Sequence, residues 1–142
     1  MHRAGGRYWA SSEGEASTML SGVHRHIRQD RVVYGRPAPE VLGELLDAYG
    51  KARVLVISTA SLSGPGGLAS RIAAGLGGRC AGLFGAVSAH SPRDAVIAAA
   101  AEARRADADL LVGVGGGSVA DAAKVVQLCV WQGLTRASEL DA

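Results

Sequence analysis

The 142-residue chain is poor in aromatic side chains, with one Phe, two Trp and three Tyr. Ala, Val and Leu must therefore fill its core, which suits helices laid on a buried sheet. It has only two cysteines, Cys80 and Cys129, which make neither a metal spacing nor a disulfide framework. Buried thiols in a reducing compartment are expected. No apolar run approaches the ~20 residues of a membrane span. The N-terminal stretch lacks the continuous apolar core of a signal peptide and carries Glu13 and Glu15, which argues against secretory and transit signals alike. A cytoplasmic protein without a membrane partner is the expectation. Charge of one sign is also scarce: the formal net charge is +2 and Arg104-Arg105 is only a short basic pair, so no nucleic-acid footprint is present.

The composition that remains is 48% hydrophobic and 20% charged. A single domain of this length buries roughly two-thirds of the surface its unfolded chain exposes. Residues 1–18 mix Gly, Ser, Glu and Arg without an apolar period and read as a disordered leader, leaving 19–142 as the domain. The runs Val23–Ile27 and Arg31–Tyr34 are strand-like and predict an N-terminal β-hairpin closed by Gly35. His24 and His26 share one face of it, but no third ligand is near and surface histidines are expected rather than a metal site.

Beyond Pro37 and Pro39, the spacing of Val41, Leu42, Leu45 and Leu46 predicts a helix stopped by Gly50. A strand follows at Arg53–Ile57, then a helix through Leu68, Ile72, Ala73 and Leu76 to Gly77-Gly78, and a strand at Ala81–Phe84. Ser91-Pro-Arg-Asp94 has the form of a capping box with proline at the first helical position, predicting a helix from Pro92 to Ala106. Asp109–Val114 is the next apolar strand, and Ala122, Val125, Val126 and Cys129 mark the buried face of the last helix. Strands alternating with helices of this length specify an α/β, Rossmann-like parallel sheet with flanking helices.

Between the last strand and the last helix stand Gly115, Gly116 and Gly117, followed by Ser118. A helix N-terminus has unpaired N–H groups and a positive dipole end, and residues without Cβ let a phosphate approach the main chain. A tight turn alone explains one or two of these glycines, but less readily three in a row at the carboxyl end of a strand. The run is not a P-loop, because no Lys-Ser/Thr pair follows it, and Ser118 breaks the strict G-x-G-x-x-G form. Gly64-Pro-Gly-Gly-Leu-Ala69 does fit G-x-G-x-x-A, but it begins seven residues after Ile57 and no acid ends the next strand, so it reads as helix entry and turn chemistry. Asp121, three residues after Ser118, is either a capping-box acid or a site residue. Lys124 is either a site residue or a solvated helix position.

The stretch Gly115-Gly-Gly-Ser-Val-Ala-Asp-Ala-Ala-Lys124 resembles the GGGSxxDxAK signature of the iron-containing (group III) alcohol dehydrogenase family. The likeness extends back through Asp109–Gly113, Arg53–Thr59 and Arg31–Gly35 and covers about residues 20–142. Ser58-Thr59 and Gly82–Val87 look most like the maleylacetate reductase branch. The resemblance implies hydride transfer between NAD or NADP and a carbonyl, alcohol or ene substrate. It places Gly116, Gly117 and Ser118 at the pyrophosphate, Gly115, Asp121 and Lys124 at the cofactor site, and Thr59 at the adenosine ribose. Many family members carry Asp at the position of Thr59, where it repels a 2′-phosphate, so Thr59 leaves NAD and NADP both open.

The resemblance also implies a Thr-rich cofactor strand and an all-helical domain whose Asp and His ligands hold Fe or Zn, although maleylacetate reductases can work without a metal. Neither segment lies within these 142 residues. The chain is therefore expected to be the nucleotide-binding portion of such an oxidoreductase, inactive alone, with a homodimer implied by the resemblance and the hairpin offering an edge for it. Two other readings stay open: a standalone nucleotide-binding or interaction module without turnover, and a fragment of a dehydroquinate-synthase-like or glycerol-phosphate-dehydrogenase-like enzyme.

Overall fold

A computed structural model describes residues 32–90 and 92–141. The hairpin expected at Val23–Tyr34, with His24 and His26, falls outside the described residues apart from Val32–Tyr34, which belong to no strand; the expected boundary at residue 19 also lies outside them. Three parallel strands, β1 (Val54–Ser58), β2 (Cys80–Phe84) and β3 (Leu110–Val114), lie in the order β2-β1-β3. Helices α1 (Ala38–Tyr49), α2 (Ala60–Ser63), α3 (Leu68–Leu76), α4 (Arg93–Arg105) and α5 (Gly117–Gln132) connect and flank them. The α/β alternation read from the sequence is thus the observed architecture. None of the described helices is long and apolar enough to cross a membrane.

The central strand explains the layers. Every residue of β1 is fully buried, as a parallel strand covered on both faces requires. Because side chains alternate along a strand, Leu55 and Ile57 pack with Val96, Ala99 and Ala103 of α4 and with Val119, Ala122, Val126 and Cys129 of α5. Val54 and Val56 face the other way, into Leu46 of α1 and Ala69, Ile72 and Leu76 of α3. Burying each large aliphatic side chain contributes about 1.5–3 kcal/mol. The alanines that replace aromatics let α4 and α5 pack closely on one face. Cys129 is buried in that layer and Cys80 is half-buried.

Local chemistry sets the ends of the elements. At the end of α1, Gly50 adopts φ +63 and the N–H groups of Gly50 and Lys51 donate to the carbonyls of Asp47 and Leu46, a Schellman closure that favours glycine. Leu134 N–H closes α5 on the Cys129 carbonyl after Gly133 at φ +71, and the Arg104 guanidinium donates to the carbonyls of Cys129 and Leu134. Ser91, the cap of the box expected before α4, lies outside the described residues. Pro92, at φ −53 and ψ 138, is extended and stands outside the helix, which begins at Arg93 with no side-chain cap. Asp94 still places a negative charge in the first turn.

The amino ends of β1 and β3 are locked together. The Asp109 carboxylate accepts the N–H groups of Ala52 and Arg53 at 3.1 and 2.9 Å, and these bonds hold its pKa below the usual value. Beyond α5, Glu139 in the 3-10 turn Ala137–Asp141 accepts the N–H groups of Thr135 and Arg136 at 2.7 and 2.9 Å. Those backbone N–H groups, with the Arg136 guanidinium, lower its pKa from 4.5 to about 2. A depressed carboxylate pKa adds stability above the unfolded value, and that stability is lost as pH falls through the folded value. Glu139→Gln is therefore expected to lower the urea midpoint at pH 7, with the gap to wild type closing between pH 4.5 and about 2. A gap independent of pH would refute this role.

Candidate functional site

The order of the strands creates a crevice. The chain leaves the carboxyl end of β1 for α2 and α3, which lie on one face of the sheet, and leaves β3 for α5 on the other. Neighbouring strands whose connections part to opposite faces form a switch point, where α/β proteins bind ligands. Here Ser58 and Val114 are paired in register at the two strand ends, so the residues after them, Thr59 and Gly115–Ser118, form the two lips.

The three glycines at the β3 lip differ in physical role. Gly115 has φ +154, and a Cβ built on it meets Val119 Cγ2 at 2.7 Å, so both backbone and packing require glycine. Gly116 is the N-cap of α5 at φ −90 and ψ −161, which any residue adopts, and a Cβ there meets nothing within 4 Å. Gly117, the first helical residue, is equally open. Nothing within the described residues requires glycine at these two positions. Their bare main chain lies at the positive end of a 16-residue helix, where N–H groups lack intrahelical acceptors. That is the arrangement an anion needs.

Gly64–Gly67 shows the contrast. Gly66 has φ +73, and a Cβ on Gly67 meets Leu62 O at 2.2 Å. Ser70 Oγ also donates to the Ser63 and Gly64 carbonyls at 2.7 and 3.0 Å. This turn uses its glycines to enter α3, in agreement with its reading as turn chemistry.

The remaining sequence candidates fall around the same end of the sheet. Ser118 is the second residue of α5 and is half-buried. The Ser118–Asp121 capping box is not formed, because the helix already begins at Gly117 with Gly116 as its cap and no side-chain cap bond. Asp121 and Lys124 pair with each other at 3.3 Å, with side chains 71% and 76% exposed, an ion pair of little energetic weight. Thr59 caps α2 with its backbone extended, and its hydroxyl lies 3.1 Å from Ser61 Oγ. The structure thus places Thr59 and the glycine turn on opposite lips, with Asp121 and Lys124 further along α5.

Sequence reasoning gave no site role to Ser58, a fully buried polar side chain whose Oγ donates to the Val114 carbonyl at 2.6 Å. Beyond its share in the family likeness, its mark in the sequence is a hydroxyl ending an otherwise apolar strand. A cavity of about 370 Å³ lies against the carboxyl end of β3, lined among others by Arg36, Leu42, Ile72, Val114 and Gly115. A larger one of about 420 Å³ is lined by Asp109, Leu110, Gln127 and Trp131 at the amino end of β3. Its size does not make it the site, since it lies away from the strand ends that form the crevice.

Comparison with known proteins identifies the family and the fold. The family model for iron-containing alcohol dehydrogenase matches residues 29–140. The chain is 39% identical over 101 residues to a maleylacetate reductase of Burkholderia cepacia, covering 71% of this chain and 28% of that protein. It is 40% identical over 98 residues to a maleylacetate reductase of Sphingobium indicum, covering 69% and 27%. Crystal structures of maleylacetate reductases from Agrobacterium tumefaciens and from Rhizobium sp. strain MTP-10005 superpose with a TM-score of 0.65 each, at 28% and 30% identity, over 77% of this chain and 30% of theirs. The chain therefore spans little more than a quarter of the length of the curated relatives it matches. From its glycine turn to its sheet order, the chain belongs to the iron-containing alcohol dehydrogenase family.

Proposed function

We propose that this chain supplies the dinucleotide-binding part of an oxidoreductase of the maleylacetate reductase type. The pyrophosphate of NAD or NADP lies on the main chain of Gly115, Gly116 and Gly117 with Ser118 beside it, the adenosine ribose lies toward Thr59, and Asp121 and Lys124 flank the cofactor. The observation that carries this reading is the pair Gly116 and Gly117, glycines that neither φ nor packing demands, at a helix N-terminus in a switch-point crevice. Thr59 brings no charge to the ribose end, so neither NADH nor NADPH is repelled there. The dinucleotide, when bound, supplies or accepts the hydride. The chain's own part is to hold the cofactor's phosphates and direct its nicotinamide half away from the Thr59 lip.

Among the described residues, no three His, Cys, Asp or Glu side chains gather to hold a metal ion. These residues do not fit the family's iron or zinc, and no metal is assigned to them. Hydride transfer also requires substrate within near-attack distance of the nicotinamide and a partner for developing charge. We assign both to the portion of such enzymes that this chain does not match. The 142-residue chain is accordingly expected to bind NADH and NADPH saturably in a fluorescence titration, yet to oxidise neither in the presence of maleylacetate. Failure to bind either cofactor would remove the reading, and turnover by the chain alone would overturn the division of labour.

A further inference from the structure

Ser58 is fully buried, yet it stands where the carboxyl ends of β1 and β3 meet the crevice. Its hydroxyl donates to the Val114 carbonyl at 2.6 Å, and its own carbonyl accepts the Val87 N–H at 3.1 Å. The Val114 carbonyl belongs to the same peptide plane as the Gly115 N–H, so a bond that fixes the oxygen fixes the direction of that N–H. One residue further, Gly115 holds φ +154 over Val119, a conformation that persists only when its surroundings over-determine it. We propose that Ser58 is a positioning residue: its hydroxyl sets the Val114–Gly115 peptide and through it the anion-binding form of the Gly115–Gly117 turn. The proposal rests on the dinucleotide reading for its ligand, but the control of the turn by Ser58 can be seen without one.

The alternative is that the hydroxyl only satisfies a buried carbonyl. A merely structural loss lowers stability and leaves the balance among ligands unchanged, whereas a mis-set turn selectively weakens ligands that carry the pyrophosphate. Binding of ADP-ribose and of adenosine to the full chain separates the two. In Ser58→Ala the ADP-ribose Kd is expected to rise about fivefold to tenfold, the range of one lost hydrogen bond, with adenosine affinity changed less than about twofold. Should Ser58→Ala not fold, the isosteric pair Ser58→Thr and Ser58→Val makes the same comparison, with only Thr keeping wild-type discrimination between the two ligands. Equal changes for both ligands, or no change for ADP-ribose, would overturn the proposal. If wild type binds neither ligand, the dinucleotide reading fails on its own. The role of Ser58 is then read from ligand-free amide spectra, where loss of the hydroxyl must displace the Gly115, Gly116 and Gly117 resonances more than those of Gly64, Gly66 and Gly67, and an unmoved turn refutes it.

Discussion

Gly116→Val is expected to weaken NADH binding at least about a hundredfold while moving unfolding stability by no more than about 1 kcal/mol. The affinity estimate follows from the contacts displaced. A charge-assisted hydrogen bond contributes about 1.5–3 kcal/mol, and a branched side chain over the N-cap of α5 holds the phosphates off more than one of them. A loss of about 2.7 kcal/mol is a hundredfold. The stability estimate balances two small terms. Valine is a poor N-cap and costs about 1 kcal/mol there, while replacing glycine restricts the unfolded chain and returns about 0.4–1 kcal/mol. No clash adds to these, since φ is −90 at Gly116 and a Cβ there meets nothing within 4 Å. Calorimetric titration with thermal unfolding checks both halves, and unchanged affinity would contradict the placement of the phosphates.

Gly115→Ala, one residue earlier, is expected to lower stability by about 3 kcal/mol. The new Cβ lies 2.7 Å from Val119 Cγ2 and 3.2 Å from Val119 Cβ. Val119, on α5, is 1% exposed and belongs to the core that β1 shares with α4 and α5, so it has little room to move. Overpacking costs about 1–3 kcal/mol, and an unfavourable backbone conformation adds about 1–3. For a chain of this size the melting temperature is expected to fall by about 10 °C. Trimming the neighbour should relieve the packing share, so Val119→Ala is expected to destabilise less in the Gly115→Ala background than in wild type. Additive effects in that double-mutant cycle would show that the Cβ–Val119 contact is not the cause.

Those two glycines mark where legibility in the sequence ends. The run itself is plain from residue identity, as are the stops at Gly50 and Gly77 and the apolar period of each long helix, because they rest on local chemistry. Which glycine serves the fold and which leaves room for a ligand depends on φ at Gly115 and on where Val119 sits, and neither is local information. The start of α4 at Arg93 rather than Pro92 has a similar origin: the composition permits a proline at the first helical position, but ψ 138 at Pro92 keeps it outside. Helix α2 was unforeseen because four residues are too few to show a period. The sheet order, which makes the crevice, is set by non-local strand pairing, and Ser58 gains its meaning only from its register with Val114.

The central claim is that the turn after β3, not the motif-like turn before α3, holds the cofactor's phosphates. Amide chemical-shift mapping of the uniformly ¹⁵N-labelled chain during titration with NADH tests it most directly. The expected result is saturable displacement of the Gly116, Gly117 and Ser118 amides with smaller shifts at Thr59, while Gly64, Gly66 and Gly67 stay in place. Saturable shifts centred on Gly64–Gly67, with the α5 N-terminus unmoved, would contradict it.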